Sequence, residues 1–302
     1  MGQKWPIVGH KGFKMKRFIY MWDQKMLKIL FLFQLLLGLS LNVLQGQTIP
    51  LDTALKPLSP QMTSESAEAI SLLPYRLFLP NHKTQSHSSE HSKTNNPFEE
   101  PRRMLVFLHG SGERGSDNEA QLKHGRDFFE RLAQEHNTLV LVPQCPENLS
   151  WHNGYSKTTK RGRTYHYPKK QHPNSVLDIL EQLIDSVANA EQIESGNILL
   201  GGLSMGGMGT MELLRRRPEF YKRAFVICGG AHRSITRQIG QTPLWFFHGE
   251  EDQIVDPKHA KTIYRKLKRK GIKVNLTLYP GVDHNSWDLA FAEQELIPWL
   301  MK

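Results

Sequence analysis

Cysteine is nearly absent from this chain, with Cys145 and Cys228 the only two in 302 residues. That excludes a disulfide scaffold. Long apolar runs are equally scarce: residues 27–44 form one candidate membrane segment, which excludes a polytopic membrane protein. Composition is not extreme either. With 39% apolar and 23% charged residues, a collagenous or wholly disordered chain is excluded. Acidic residues are the minority charge, 29 against 39 Lys plus Arg, for a net +10. Residues 1–47 account for much of that excess, with seven basic side chains and one acid, Asp23. The remaining excess describes a solvated surface, and no nucleic-acid module accompanies it.

The apolar run LKILFLFQLLLGLSLNVL follows Lys25 and precedes the polar Gln45-Gly46-Gln47. A positive start, an apolar centre and a polar exit are the layout of an export signal. The reading is a signal peptide or N-terminal anchor over 1–47, with cleavage near Gly46 or Gln47 or retention in the membrane. Met15, Met21 and Met26 are alternative starts that would shorten the basic region. Residues 48–69 read as a polar linker with scattered prolines. The expected location is secreted or periplasmic.

From residue 70 onward the rhythm is that of one domain, 70–302. Short apolar runs at 72–79, 104–108, 138–142, 197–200, 223–228, 243–247 and 274–279 are rich in β-branched and aromatic residues, as buried parallel strands are. Helical patterns intervene at 128–136, 176–190, 208–217, 260–270 and 288–300. Strands alternating with helices predict a doubly wound, mostly parallel α/β sheet with helices on both faces.

The run at 197–200 leads into Gly201-Gly202-Leu203-Ser204-Met205-Gly206-Gly207. Gly202-x-Ser204-x-Gly206 between a strand and a helix is the pattern of a nucleophile elbow. The turn is so tight that side chains two before and two after the serine would collide. A serine hydroxyl needs a base, and the base an acid to orient it, in the chain order Ser, acid, His. His248-Gly249-Glu250-Glu251-Asp252 and Gly281-Val282-Asp283-His284 leave two later strands on the same rim. We assign Asp252 as acid and His284 as base, with Glu250 and Glu251 as rivals to Asp252. Asp283 is adjacent to His284, and chain neighbours point apart. Asp256 reads as a helix cap. The expected oxyanion donors are the N–H of Met205 and that of Ser111 in the loop His109-Gly110-Ser111-Gly112, with Gly112 second.

The HGSGERG, GGLSMGG, HGEED and GVDHNSW segments together resemble the α/β-hydrolase superfamily over about residues 70–302. The resemblance is to its secreted esterase and predicted-peptidase branch, alongside dienelactone-hydrolase-like and phospholipase/carboxylesterase-like proteins. It implies the α/β-hydrolase fold and the same residue roles. It also implies that the strands ending near Cys145 and Cys228 lie on opposite sides of the central strands, leaving two free, buried thiols. One stretch departs from the pattern: no acid occurs between Glu147 and Asp178. It holds Trp151, Tyr155, Tyr165, Tyr167 and the cations Lys157, Lys160, Arg161, Arg163, Lys169 and Lys170. Aromatics beside charges suit sugars or acidic groups, and Trp151 and Tyr155 are the candidate substrate contacts; a solvated loop is the alternative.

These readings converge on a serine hydrolase of carboxylic esters that forms an acyl-enzyme, with no metal and no organic cofactor. Its partner is a small-molecule or carbohydrate ester, by fold-level analogy. The alternative is a serine peptidase of prolyl-oligopeptidase-like type, since a triad alone does not separate esters from amides. No nucleic acid is expected, and membrane contact only through the N-terminal segment if it stays uncleaved.

Overall fold

The computed structural model describes residues 73–80, 102–160 and 162–302. The signal or anchor at 1–47, the linker at 48–69 and Arg161 lie outside the described residues. In chain order the elements are β1 (Tyr75–Phe78), β2 (Arg103–Leu108), α1 (Arg126–Glu135), β3 (Thr138–Pro143), β4 (Tyr155–Thr159) and β5 (Gly162–His166). They continue with α2 (Ser175–Ala190), β6 (Ile198–Leu203), α3 (Met205–Arg216), β7 (Arg223–Ile227) and β8 (Leu244–Gly249). Last come α4 (Lys258–Arg269), β9 (Val274–Tyr279), α5 (Trp287–Phe291) and α6 (Leu296–Met301).

Seven strands form one sheet in the order β1-β3-β2-β6-β7-β8-β9. Only β1 runs antiparallel; the other six are parallel. Alternate residues of each strand feed two cores. Met104, Val106 and Leu108 of β2 join the core under α2, α3 and α4, with Leu180, Met211 and Ile263. Leu105 and Phe107 join the opposite core under α1, α5 and α6, with Phe129, Ala290 and Leu300. The sheet is therefore covered on both faces, which is why the inner strands β2, β3, β6, β7 and β8 read as apolar runs, whereas the edge strand β9 alternates and is only partly buried.

The ends of β3 and β7 are separated by β2 and β6, and Cys145 and Cys228 are both free and buried. Burial pushes the Cys145 thiol up to about 12, so it stays protonated and unreactive.

Two elements differ from their sequence patterns. The helix expected from 208 begins at Met205, despite Gly206, Gly207 and Gly209 in its first turns. Glycine is a poor helix former, but here the lack of side chains lets the helix approach the sheet; a Cβ on Gly209 would sit 2.5 Å from Trp151 Cβ. The single helix expected over 288–300 is two short ones, α5 and α6. Glu and Gln between them are good helix formers, so the break is a packing requirement. It lets Ala290 in one piece and Leu296, Ile297 and Leu300 in the other face the same core.

The basic stretch is no irregular loop. β4 and β5 pair as an antiparallel hairpin, a separate two-stranded sheet with Lys157 opposite Thr164. The chain after it is tied to the segment beyond β7 and to the end of α3. Ser234 Oγ donates to Lys169 O at 3.0 Å, and Arg215 Nη1 to Pro168 O at 3.4 Å.

The second core is dominated by tilted and edge-on rings. Phe129 lies 4.9 Å from Phe107, 5.8 Å from Phe78 and 6.1 Å from both Phe128 and Phe291 (centroid distances). Replacing Phe129 with Ala removes the ring at the centre of this set. We expect a loss of about 3–5 kcal/mol in urea unfolding. A loss below about 1 kcal/mol would mean that the ring cluster does not hold α1 to the sheet.

Candidate active site

Ser204 lies between β6 and α3 with φ 52° and ψ −115°, a conformation side chains rarely adopt. Such strain costs on the order of 1–3 kcal/mol and persists only where the surroundings over-determine it. Two observations show what imposes it. A Cβ on Gly206 would overlap the Leu108 carbonyl oxygen of β2, and one on Gly202 would overlap the Gly206 carbonyl. In addition, the Ser204 N–H donates to Ile227 O of β7 at 2.8 Å. The turn is thus pinched between β2 and β7, and the Ser204 side chain is turned toward His284.

Ser204 Oγ lies 2.9 Å from His284 Nε2, and His284 Nδ1 lies 2.8 Å from Asp252 Oδ2. An ionised carboxylate only accepts, so Nδ1 carries the proton. Nε2 is then free to accept from the serine hydroxyl. Asp252 Oδ1 accepts from the N–H groups of Ile254 at 2.9 Å and Val255 at 2.8 Å. These bonds fix the carboxylate in a buried position. Burial alone would raise its pKa, but donors from His248, His284 and Val255 outweigh it and hold Asp252 well below the usual carboxylate range. For His284 burial acts downward, yet hydrogen bonds with Asp252 and the Cys228 thiol prevail, and its imidazolium is held above the ordinary value.

The acid loop and the base loop are pressed together. A Cβ on Gly249 would overlap the carbonyls of Val282 and Asp283. Glu250 and Glu251 donate their backbone N–H groups to Tyr279 O and Val282 O, both at 3.0 Å. Asp283 Oδ1 accepts from Gln253 N at 2.9 Å and from His284 N at 2.8 Å, a staple between the loops. The rival acids go elsewhere. Glu250 and Glu251 are exposed, with Glu250 3.6 Å from Lys261 Nζ, and Asp256 accepts from Lys258 N at the start of α4.

Met205 is the first residue of α3, where backbone N–H groups have no helical partner. Gly110 lies beside the serine: a Cβ there would be 3.6 Å from Ser204 Cβ. Ser111 and Gly112, next along, are exposed. The loop is braced by His109, which the sequence reading left without a role. His109 Nδ1 donates to Gly110 O at 2.6 Å and Nε2 accepts from Cys145 N at 2.8 Å. Burial lowers its pKa to about 4, so it stays neutral and can keep both bonds. Its place directly before a glycine loop was the available signal.

The two expected substrate contacts part company. Tyr155 is 56% exposed on β4 and stacks on His166. Trp151 is corrected: it is fully buried, with its ring edge-on to His109 and its Cβ under Gly209. Its size suited the gap left by the helical glycines, so it packs in the core and does not face substrate. Among the described residues no group of three His, Cys, Asp or Glu side chains is placed to hold a metal ion.

The phospholipase/carboxylesterase family matches residues 89–294 of this chain. Lysophospholipase-like protein 1 of Mus musculus is 27% identical over 191 residues, 60% of this chain and 79% of that protein. Acyl-protein thioesterase 1 of Neurospora crassa is 24% identical over 203 residues, 60% and 80% of the two chains. The crystal structure of a thermostable esterase is similar at 34% identity and a TM-score of 0.59. That match covers 76% of this chain and 58% of the esterase's, so this chain spans less than two thirds of that protein. With a match over most of its length and the α/β-hydrolase topology in place, the chain belongs to the phospholipase/carboxylesterase family, carboxylic-ester hydrolases of the α/β-hydrolase superfamily.

Proposed function

We propose that the chain cleaves carboxylic esters through an acyl-enzyme on Ser204. The observation that carries this reading is the unbroken line Ser204 Oγ–His284 Nε2 at 2.9 Å and His284 Nδ1–Asp252 Oδ2 at 2.8 Å. Ser204 Oγ attacks the acyl carbon as its proton passes to His284 Nε2. Charge develops on the carbonyl oxygen, toward which the N–H groups of Met205 and Ser111 point in this reading. His284 then gives its proton to the leaving alcohol, and the acyl–oxygen bond to that alcohol breaks. Water enters, loses a proton to the same nitrogen, and releases the acid and the free serine. Asp252 stays ionised throughout and holds the imidazole in its Nδ1–H tautomer.

As finer proposals, the substrate is an acylated carbohydrate or another ester with a negative group, and the enzyme is exported. The N-terminal pattern of 1–47 supports export. Exposed Tyr155, with Lys157 Nζ 5.7 Å from its ring centroid, and exposed Lys160 and Arg163 support the substrate class. The names of the relatives add thioesters and lysophospholipids to the substrates to be tried.

The Ser204→Ala variant should remain folded and lose on the order of 10⁴-fold in kcat for p-nitrophenyl esters. The same assays should include thioesters, feruloyl sugar esters and peptide anilides. A folded Ser204→Ala enzyme with parental turnover would sink the acyl-enzyme mechanism, and preference for the anilides would replace esterase with peptidase.

His284 must be neutral to accept a proton, and its pKa is raised. The acid limb of kcat/KM should therefore lie above pH 6.5, the ordinary imidazole value. Asp252→Asn removes the carboxylate that raises it. This variant should lose activity far beyond Glu250→Gln or Glu251→Gln, and its residual activity should show a lower limb. Equal, small losses in all three would reassign the acid.

Replacing Lys160 and Arg163 with Ser should raise KM for an anionic ester and leave a neutral ester unchanged. The difference should shrink as salt rises from about 0.05 to 0.5 M, because exposed charges act through a screened field. Equal responses of the two esters would make the hairpin a steric or solvated feature.

A further inference from the structure

Asp252 has a second histidine. His248, the last residue but one of β8, is fully buried, and its Nε2 lies 3.0 Å from Asp252 Oδ2. This is the same oxygen that receives His284 Nδ1 at 2.8 Å. His248 Nε2 also lies 2.8 Å from Val255 O. Both neighbours of this nitrogen are acceptors, so Nε2 carries the proton. Its Nδ1 is buried without a hydrogen-bond partner among the described residues. A proton there would be a buried donor with nothing to receive it, which is costly. The geometry thus selects the neutral Nε2–H tautomer.

The single His248 Nε2–H is therefore shared between Val255 O, the shorter contact, and Asp252 Oδ2, the oxygen that His284 also donates to. The other oxygen is saturated by Ile254 N and Val255 N, so Asp252 does not depend on His248 to stay in place. What His248 changes is how much of the negative charge on Oδ2 is left to stabilise a proton on His284. We propose that His248 is a positioning and tuning residue: its N–H draws on Asp252 Oδ2 and weakens that carboxylate's hold on protonated His284, leaving more of the base neutral at working pH.

The other groups facing this pair do not take over that role. Asp283 is occupied by Gln253 N and His284 N. The Cys228 thiol, beyond β7, acts on His284 and raises its pKa. From α4, His259 is held below the usual imidazole range, chiefly by burial. Its ring lies edge-on to Tyr167, 5.0 Å away, on the segment after the hairpin. Burial and the neighbouring charge of Asp252 keep the Tyr167 phenol protonated. Neither His259 nor Tyr167 donates to Asp252 among the described contacts.

The inference rests on the reading of Ser204 and His284 given above, and its tests separate the two. In His248→Phe, Oδ2 is left to His284 alone. The acid limb of kcat/KM should move up by about half to one pH unit, a three- to tenfold loss of rate below the limb. The alkaline plateau should stay within about twofold of the parent, because a stronger base is still a competent one. A residue needed only for packing would lower the plateau without moving the limb. His248→Gln returns an N–H to the same place, and its limb should fall between those of the parent and His248→Phe. A second measurement needs neither variant. Nitrogen-15 shifts of the parent at pH 7 should report His248 as a neutral Nε2–H imidazole. A limb that stays or falls in His248→Phe overturns the proposal, as does a cationic or Nδ1–H His248 in the parent. If Ser204→Ala remains active, the reading of the site fails whatever His248 does; if that variant is dead and the limb is unmoved, this inference alone fails.

Discussion

Everything at the site depends on how closely the start of α3 approaches the carboxyl end of β2. Gly206 stands where any side chain would overlap the Leu108 carbonyl oxygen. That contact fixes the turn, the turn forces Ser204 into its positive φ, and the strain is retained because β2 and β7 hold the turn from both sides. A looser approach would relieve the strain and let the hydroxyl swing away from His284. The same close packing explains two features that look unrelated: a helix that begins on three glycines, and a tryptophan buried beneath it.

The second constraint is electrostatic. A buried carboxylate is stable only if its oxygens are satisfied. Asp252 meets that condition with two backbone donors on one oxygen and two imidazoles on the other. Its own loop holds the side chain in place, and the end of β8 and the loop that carries His284 both meet the oxygen left over. Gly249 and Asp283 keep those segments in contact, one by leaving room for a crossing backbone and the other by bonding to both loops. Geometry and charge are therefore maintained by the same few residues.

The sheet and the site were legible in the sequence to different depths and for different reasons. Buried parallel strands announce themselves because both faces are apolar, and five such runs sit where β2, β3, β6, β7 and β8 are found, with the alternating run at β9 marking the sheet's edge. Ser204, Asp252 and His284 were nameable because an elbow demands glycines at fixed offsets and the later strands end on the same rim. Helix limits were less legible. The early start of α3 runs against glycine's propensity, and the break between α5 and α6 runs against that of Glu and Gln; in both cases packing with a distant strand decided. Trp151 was misread because an aromatic among cations looks the same in sequence whether it faces solvent or fills a gap. His248 was overlooked because it sits on a strand end and three residues separate it from Asp252 in the following loop. Only the return of the loop brings its ring back to the carboxylate.

The β4–β5 hairpin forms its own two-stranded sheet, and the segment that follows it is anchored by Arg215 of α3 and by Ser234 beyond β7, each donating to a backbone carbonyl. None of its strands pairs with the seven-stranded sheet. A segment attached in this way is free to vary in length and charge over generations, because altering it leaves the sheet's register, the elbow and the carboxylate's donors as they were. The elbow and the donors of Asp252 thus lie on segments that share no strand pairing with the hairpin, so its length and charge can be altered without changing the sheet's register.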